Sequence, residues 1–249
     1  MIAASVGFQC PDDVRAGARG VREPRTSSGG RLGASTSRVT SGLIAVNVLV
    51  YLVQLLRPDL PVELGNLALA SDRGVLIGVA EGEYYRLLTA AFLHGGVLHL
   101  LMNMFALGTL GPQLEAALGR SRYLALYVLS ALGGSTLSYL VSDPGQLGVG
   151  ASGAIFGLFG AYYVVVRRTG GDTGQILVLL GINLAITFTV PNIDWRAHLG
   201  GLLVGVVLAL VFAYSRAGPR RSAVHAAACA LVLALLVVAV LVRTSALQL

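Results

Sequence analysis

Seven apolar runs divide this chain of 249 residues, at 39–56, 95–112, 122–141, 151–166, 174–190, 196–214 and 223–242. No other feature limits the fold as strongly. A helix needs roughly 20 apolar residues to cross the hydrocarbon layer of a bilayer. Lipid offers no partner to backbone N–H and C=O groups, so a run that crosses must satisfy them within itself, as a helix. The expected fold class is therefore an all-α polytopic membrane protein. Composition agrees, since only 12% of residues are charged against about 25% in soluble domains. The 32 glycines suit helices that pack through small residues.

The charges set an expected orientation. All 18 basic residues are arginines. Six of them precede Thr40 with three acidic residues, and others cluster at Arg120 and Arg122, at Arg167 and Arg168, and at Arg216, Arg220 and Arg221. The alternate connections are neutral or acidic, including the long one at 57–93 with Asp59, Glu63, Asp72, Glu81 and Glu83. Arginine excess marks the cytoplasmic side, which predicts a cytoplasmic N-terminus, seven spans and an outer C-terminus. No aromatics interleave with the basic clusters, so nucleic acid is not an expected partner; the lipid bilayer is. Residues 1–38 read as a flexible Arg/Gly/Ser-rich tail, 39–243 as the membrane domain and 244–249 as a C-terminal tail. Cys10 and Cys229 imply no disulfide framework, and Cys229 reads as a packing residue. The length of 57–93 implies an element with structure of its own.

Polar groups inside spans are costly and need a partner or a use. Ser152 opens the fourth run within Gly150-Ala-Ser-Gly153. His99 and Asn103 stand four apart at the start of the second run, on one helix face. His198 begins the sixth in His198-Leu-Gly-Gly201-Leu-Leu-Val-Gly205. The topology brings all of them to one membrane level, on the outer side. Gly153, Gly157 and Gly160 line one face of the fourth span; Gly201 and Gly205 share the face of His198. If these faces meet, Ser152 lies beside His198. Ser152 would then be a nucleophile, His198 its general base, and Asn103, His99 and the Ser152 N–H the donors to an oxyanion. Zinc is not expected at His94, His99 and His198, because no His-Glu-x-x-His pair exists. Asp194, four residues before His198, is expected to cap a helix rather than complete a triad.

The set His99-x3-Asn103, Gly150-Ala-Ser152-Gly153 and Ala197-His198-Leu-Gly-Gly201 resembles the rhomboid family of intramembrane serine proteases, over about 40–243. The resemblance implies a six-helix rhomboid bundle with a Ser–His dyad, here followed by a C-terminal seventh transmembrane helix as in seven-span, actinobacterial-type members. It implies no cofactor, single-span membrane-protein substrates and a place in the bacterial plasma membrane. Tyr85-Arg86 resembles a pair that braces the first loop, and Glu115 an acidic residue ending the second span. Phe156 stands where the family commonly stacks a tyrosine on the catalytic histidine; a phenylalanine keeps the ring. Val6-Gly-Phe-Gln-Cys10-Pro resembles the end of a cysteine-rich segment, of which one cysteine remains. The alternative function is a non-catalytic relative that binds transmembrane segments; retention of Ser152 and His198 favours the protease. A solute transporter is disfavoured because the spans show no paired repeat.

Overall fold

Helices in this protein end where the sequence stops serving them. In the computed structural model, which describes residues 2–3, 8–13, 15, 26, 37–72, 74–191 and 193–248, seven long helices are found: α1 (Arg38–Leu56), α2 (Val97–Leu118), α3 (Arg120–Val141), α4 (Ser152–Arg168), α5 (Gly174–Thr189), α6 (Trp195–Tyr214) and α7 (Arg221–Leu247). The breaks fall at Arg57-Pro58, at Asp143-Pro144-Gly145, at Gly170-Gly171, at Pro191 and at Gly218-Pro219. Proline removes a helix donor and glycine tolerates positive φ. Five of the seven helices are long and apolar enough to cross a membrane. The chain is an integral membrane protein of all-α class. Most of the expected N-terminal tail, Arg19, Arg22, Arg25 and Arg31 included, falls outside the described residues; Cys10 is exposed.

Three boundaries differ from expectation. The second helix does not stop at Pro112 but runs to Leu118, because Leu114 and Leu118 are fully buried and their packing outweighs one lost hydrogen bond. The connection to α3 is then Gly119 alone, at φ +82, and Arg122 belongs to a helix rather than a loop. The segment 244–249, expected as a tail, is helical to Leu247. Tyr139 and Thr244 hydroxyls bond at 2.8 Å, and Gln248 Nε2 donates to Ala80 O at 2.6 Å, which fastens this end of α7.

α4 lies at the centre. Every residue from Gly153 to Ala161 is buried, enclosed by α2, α3 and α6. Backbones come within contact distance through glycine. A Cβ on Gly201 or Gly205 of α6 would collide with the carbonyl oxygens of Gly153 and Gly157 on α4, and one on Gly200 with Gly133 O on α3. A Cβ on Gly134 would sit 2.6 Å from Ala197 O. The glycine faces of the fourth and sixth spans do meet. The third span joins them through Gly133-Gly134, a contact that the sequence reading did not foresee.

The 57–93 connection has the structure its length implies: a short helix at Leu60–Leu64, an antiparallel hairpin pairing Ala70–Asp72 with Val75–Ile77, and a helical turn at Arg86–Thr89. Arg86 is its buried brace. Its guanidinium donates to Glu83 Oε2 at 2.7 Å, to Val62 O at 2.6 Å and to Gly65 O at 3.2 Å. Burial pushes the Glu83 carboxyl up, but the hydrogen bonds from Arg86 and from the Gly78 N–H, with the Arg86 charge, hold it below its ordinary value. The loop is stitched to the α3–α4 connection by paired backbone bonds between Asn66 and Gly148 at 2.9 and 2.8 Å. At the other end of the bundle, Glu115 accepts the backbone N–H groups of Val39 and Thr40 at 3.1 and 2.9 Å. A side chain of α2 thereby caps the N-terminus of α1, satisfying donors that have no partner within their own helix.

Candidate active site

α4 is short. Its 17 residues rise about 25 Å, less than the ~30 Å hydrocarbon layer. Arg167 and Arg168 occupy its last turn, and Ser152 opens its first. Gly150 delivers the chain to that point. Its φ of +134 is closed to ordinary side chains, and its N–H donates to Ala90 O at 2.9 Å. A Cβ there would lie 2.8 and 2.9 Å from His99 Cε1 and Nε2, and 3.5 Å from Ser152 Oγ. The serine hydroxyl and the His99 ring thus flank one small space that glycine leaves empty. The first-turn N–H groups of α4, that of Ser152 among them, have no partner within the helix.

His99 is positioned through the backbone. Gln54 of α1 clamps residue 94 from both sides, donating to His94 O at 3.0 Å and accepting from His94 N at 2.9 Å. His94 packs edge-on against the His99 ring at 5.2 Å. The Gly95 N–H donates to His99 Nδ1 at 3.3 Å, so in the neutral ring the proton sits on Nε2, the atom that faces the space beside Gly150. One turn along α2, Asn103 is buried and its Nδ2 has no partner among the described residues. An unspent amide donor in such a place is costly.

His198 comes from α6. Asp194 is the N-cap of that helix: its carboxylate accepts the Arg196 N–H at 3.1 Å, which fixes where α6 begins. The His198 ring is 7% exposed. Phe156, four residues after Ser152, stacks on it with centroids 4.1 Å apart and planes 12° from parallel. The His198 Nδ1 meets Thr187 Oγ1 of α5 at 2.7 Å. Asp194 is not that partner. The Ser152 hydroxyl makes no hydrogen bond to His198, whose bonded nitrogen faces the threonine. Among the described residues no group of three His, Cys, Asp or Glu side chains could hold a metal ion. Thr187 escaped the sequence reading, since a threonine inside the run at 174–190 looks like an ordinary span residue.

The model of the rhomboid domain matches residues 81–215, which include α2 to α6. The chain belongs to the rhomboid family. YdcA of Bacillus subtilis (strain 168) is 39% identical over 143 residues, covering 55% of this chain and 72% of that protein. RHOMBOID-like protein 5 of Arabidopsis thaliana is 40% identical over 53% of this chain. The rhomboid protease GluP of Bacillus subtilis is 40% identical over 56% of it. The match spans only 45% of the Arabidopsis protein and 28% of GluP. Rhomboid relatives that carry the name protease place this chain in an intramembrane protease family. α1, residues 57–80, and all of the chain from 216 on, α7 included, lie outside the matched domain.

Proposed function

We propose that this rhomboid is a serine endopeptidase that cuts peptide bonds in or near the transmembrane segments of membrane-protein substrates. Ser152 Oγ attacks the carbonyl carbon and passes its proton to His198 Nε2. The oxyanion is held by His99 Nε2–H, Asn103 Nδ2–H and the Ser152 N–H. His198 returns the proton to the leaving amine, and water then releases the acyl group by the same route. The observation that carries the reading is the contact of α4 with α6, where Gly153 meets Gly201 and the Phe156 ring lies on His198. A hydroxyl and an imidazole held at the starts of two helices in backbone contact can exchange a proton once Oγ and Nε2 come within hydrogen-bond distance. Catalytic hydrogen bonds often tighten only when substrate binds.

Arg120 and Arg122 at the start of α3, Arg167 and Arg168 at the end of α4, and Arg216, Arg220 and Arg221 around the start of α7 all lie at the end of the bundle opposite Ser152. This supports a cytoplasmic N-terminus, an outer C-terminus and an active site toward the outer face of a bacterial plasma membrane. Purified protein treated with a fluorophosphonate probe is expected to label at Ser152, and the Ser152→Ala variant is not. Failure of folded wild-type protein to label would remove the nucleophile and leave the non-catalytic binder of transmembrane segments.

A further inference from the structure

The hydrogen-bond pattern around Thr187 bears on which His198 nitrogen carries the proton. Thr187 Oγ1 lies 2.7 Å from two atoms, the Asn183 carbonyl oxygen and His198 Nδ1. A hydroxyl has one proton to give. The Asn183 carbonyl can only accept, so two oxygens at 2.7 Å need that proton between them. This is the usual back-bond of a helical threonine. The contact with His198 then requires the ring to be the donor. His198 therefore carries its proton on Nδ1 and keeps a lone pair on Nε2, the opposite tautomer from His99.

We propose that Thr187 is a positioning residue for the base, in the role a carboxylate plays in a triad but without its charge. It orients the imidazole and holds Nε2 in its basic form. This rests on the reading of His198 as base; the tautomer itself does not. Three features make the assignment more than a packing contact. Thr187 and Ile176 are the two buried side chains of α5, so the hydroxyl is the one polar group that this helix commits to the interior. Phe156 on the ring face and Thr187 at its edge fix both the plane of His198 and its rotation within that plane. Asp194, the nearest carboxylate in sequence, is spent on the α6 cap.

The test uses the full chain in detergent micelles. The chain has four histidines, so 15N-histidine spectra are tractable, and His198→Gln identifies the relevant signals. Wild type is expected to show Nδ1–H at His198; Nε2–H there overturns the proposal. Thr187→Val keeps the shape and removes the acceptor. It is expected to mix the two tautomers and to slow fluorophosphonate labelling on the order of tenfold, the worth of about one hydrogen bond. Thr187→Ser should restore both. Thr189→Val, which loses a similar back-bond to Ala185 O without touching a histidine, should change neither. A Thr187→Val protein with the wild-type tautomer and rate refutes the role, as does a loss that serine fails to rescue or that Thr189→Val reproduces. If wild type does not label at all, the proposed activity fails while the spectra still decide the tautomer.

Discussion

Two histidines sit at opposite ends of the bundle and are buried almost equally, His198 at 7% exposure and His225 at 3%. His225, in the first turns of α7, has both nitrogens occupied. Its Nδ1 accepts from Arg122 Nε at 2.7 Å and its Nε2 donates to Ser215 Oγ at 2.6 Å. The ring joins α3, the end of α6 and α7, and nothing in its surroundings leaves a nitrogen to spare. His198 is stacked as closely, yet only Nδ1 is bonded. Burial alone therefore does not mark a functional histidine. A saturated one fastens helices; a half-saturated one keeps a nitrogen with capacity for proton transfer.

The largest effects should separate these two ends. Ser152→Ala and His198→Ala are each expected to reduce cleavage of a single-span substrate by about ten-thousandfold or more, as for members of a nucleophile–base unit. Melting temperature should stay close to that of the wild type. His225→Ala should do the reverse, lowering stability by about 1–3 kcal/mol through the two hydrogen bonds lost, while the folded fraction keeps its rate per molecule. A fully folded His225→Ala protein without activity would break the contrast.

Next in size is the contact that brings the reactive end together. Gly201→Ala, and more so Gly201→Leu, has no room, because even a Cβ meets the Gly153 carbonyl. A shift of about 1 Å at the active site can cost roughly a hundredfold in rate, so we expect at least that loss, with lower thermal stability. Val207, on the same helix but 49% exposed, should accept leucine silently. Wild-type cleavage by Gly201→Leu would show that the two helices do not set the Ser152–His198 distance. Asn103→Ala follows, with turnover down on the order of 10- to 1000-fold, the range for one donor of several. An unchanged rate would make Asn103 a helix-bridging residue.

The contrast also explains what the sequence could and could not reveal. Apolar runs fix the helices because lipid permits nothing else, and glycines at spacings of three and four reveal a close-packed face on α4 and α6. Gly133-Gly134 carried no such periodic signal, so the role of α3 as the third member of that contact stayed hidden. The second apolar run ends at 112, but Leu114 and Leu118, packed in the core, carry the helix on to Leu118. His225 and Thr187 were invisible for a shared reason. Their importance lies in hydrogen bonds to residues 103 and 11 positions away, and no pattern in one chain announces such a pair. The serine and histidine proposed for the dyad stand out in the sequence because glycines surround them, and the glycines have a steric cause.

The smallest expected effect concerns Asp194. A charged carboxylate four residues before His198 suggests a third catalytic member, but the structure gives it another occupation. Its Oδ1 takes the Arg196 N–H at 3.1 Å, the bond that an N-cap makes to a residue of the first turn, and Arg196 Nη1 lies 3.9 Å away. Asparagine offers the same carbonyl oxygen and caps about as well. Asp194→Asn should therefore retain most cleavage and nearly all stability. Asp194→Ala removes the acceptor and should cost about 1 kcal/mol of stability, with activity falling only as far as the start of α6 loosens. If asparagine instead cost several orders of magnitude in rate while melting was unchanged, the charge would be acting on His198 directly. Thr187 could not then be the residue that holds the base, and the site would have to be read as a triad.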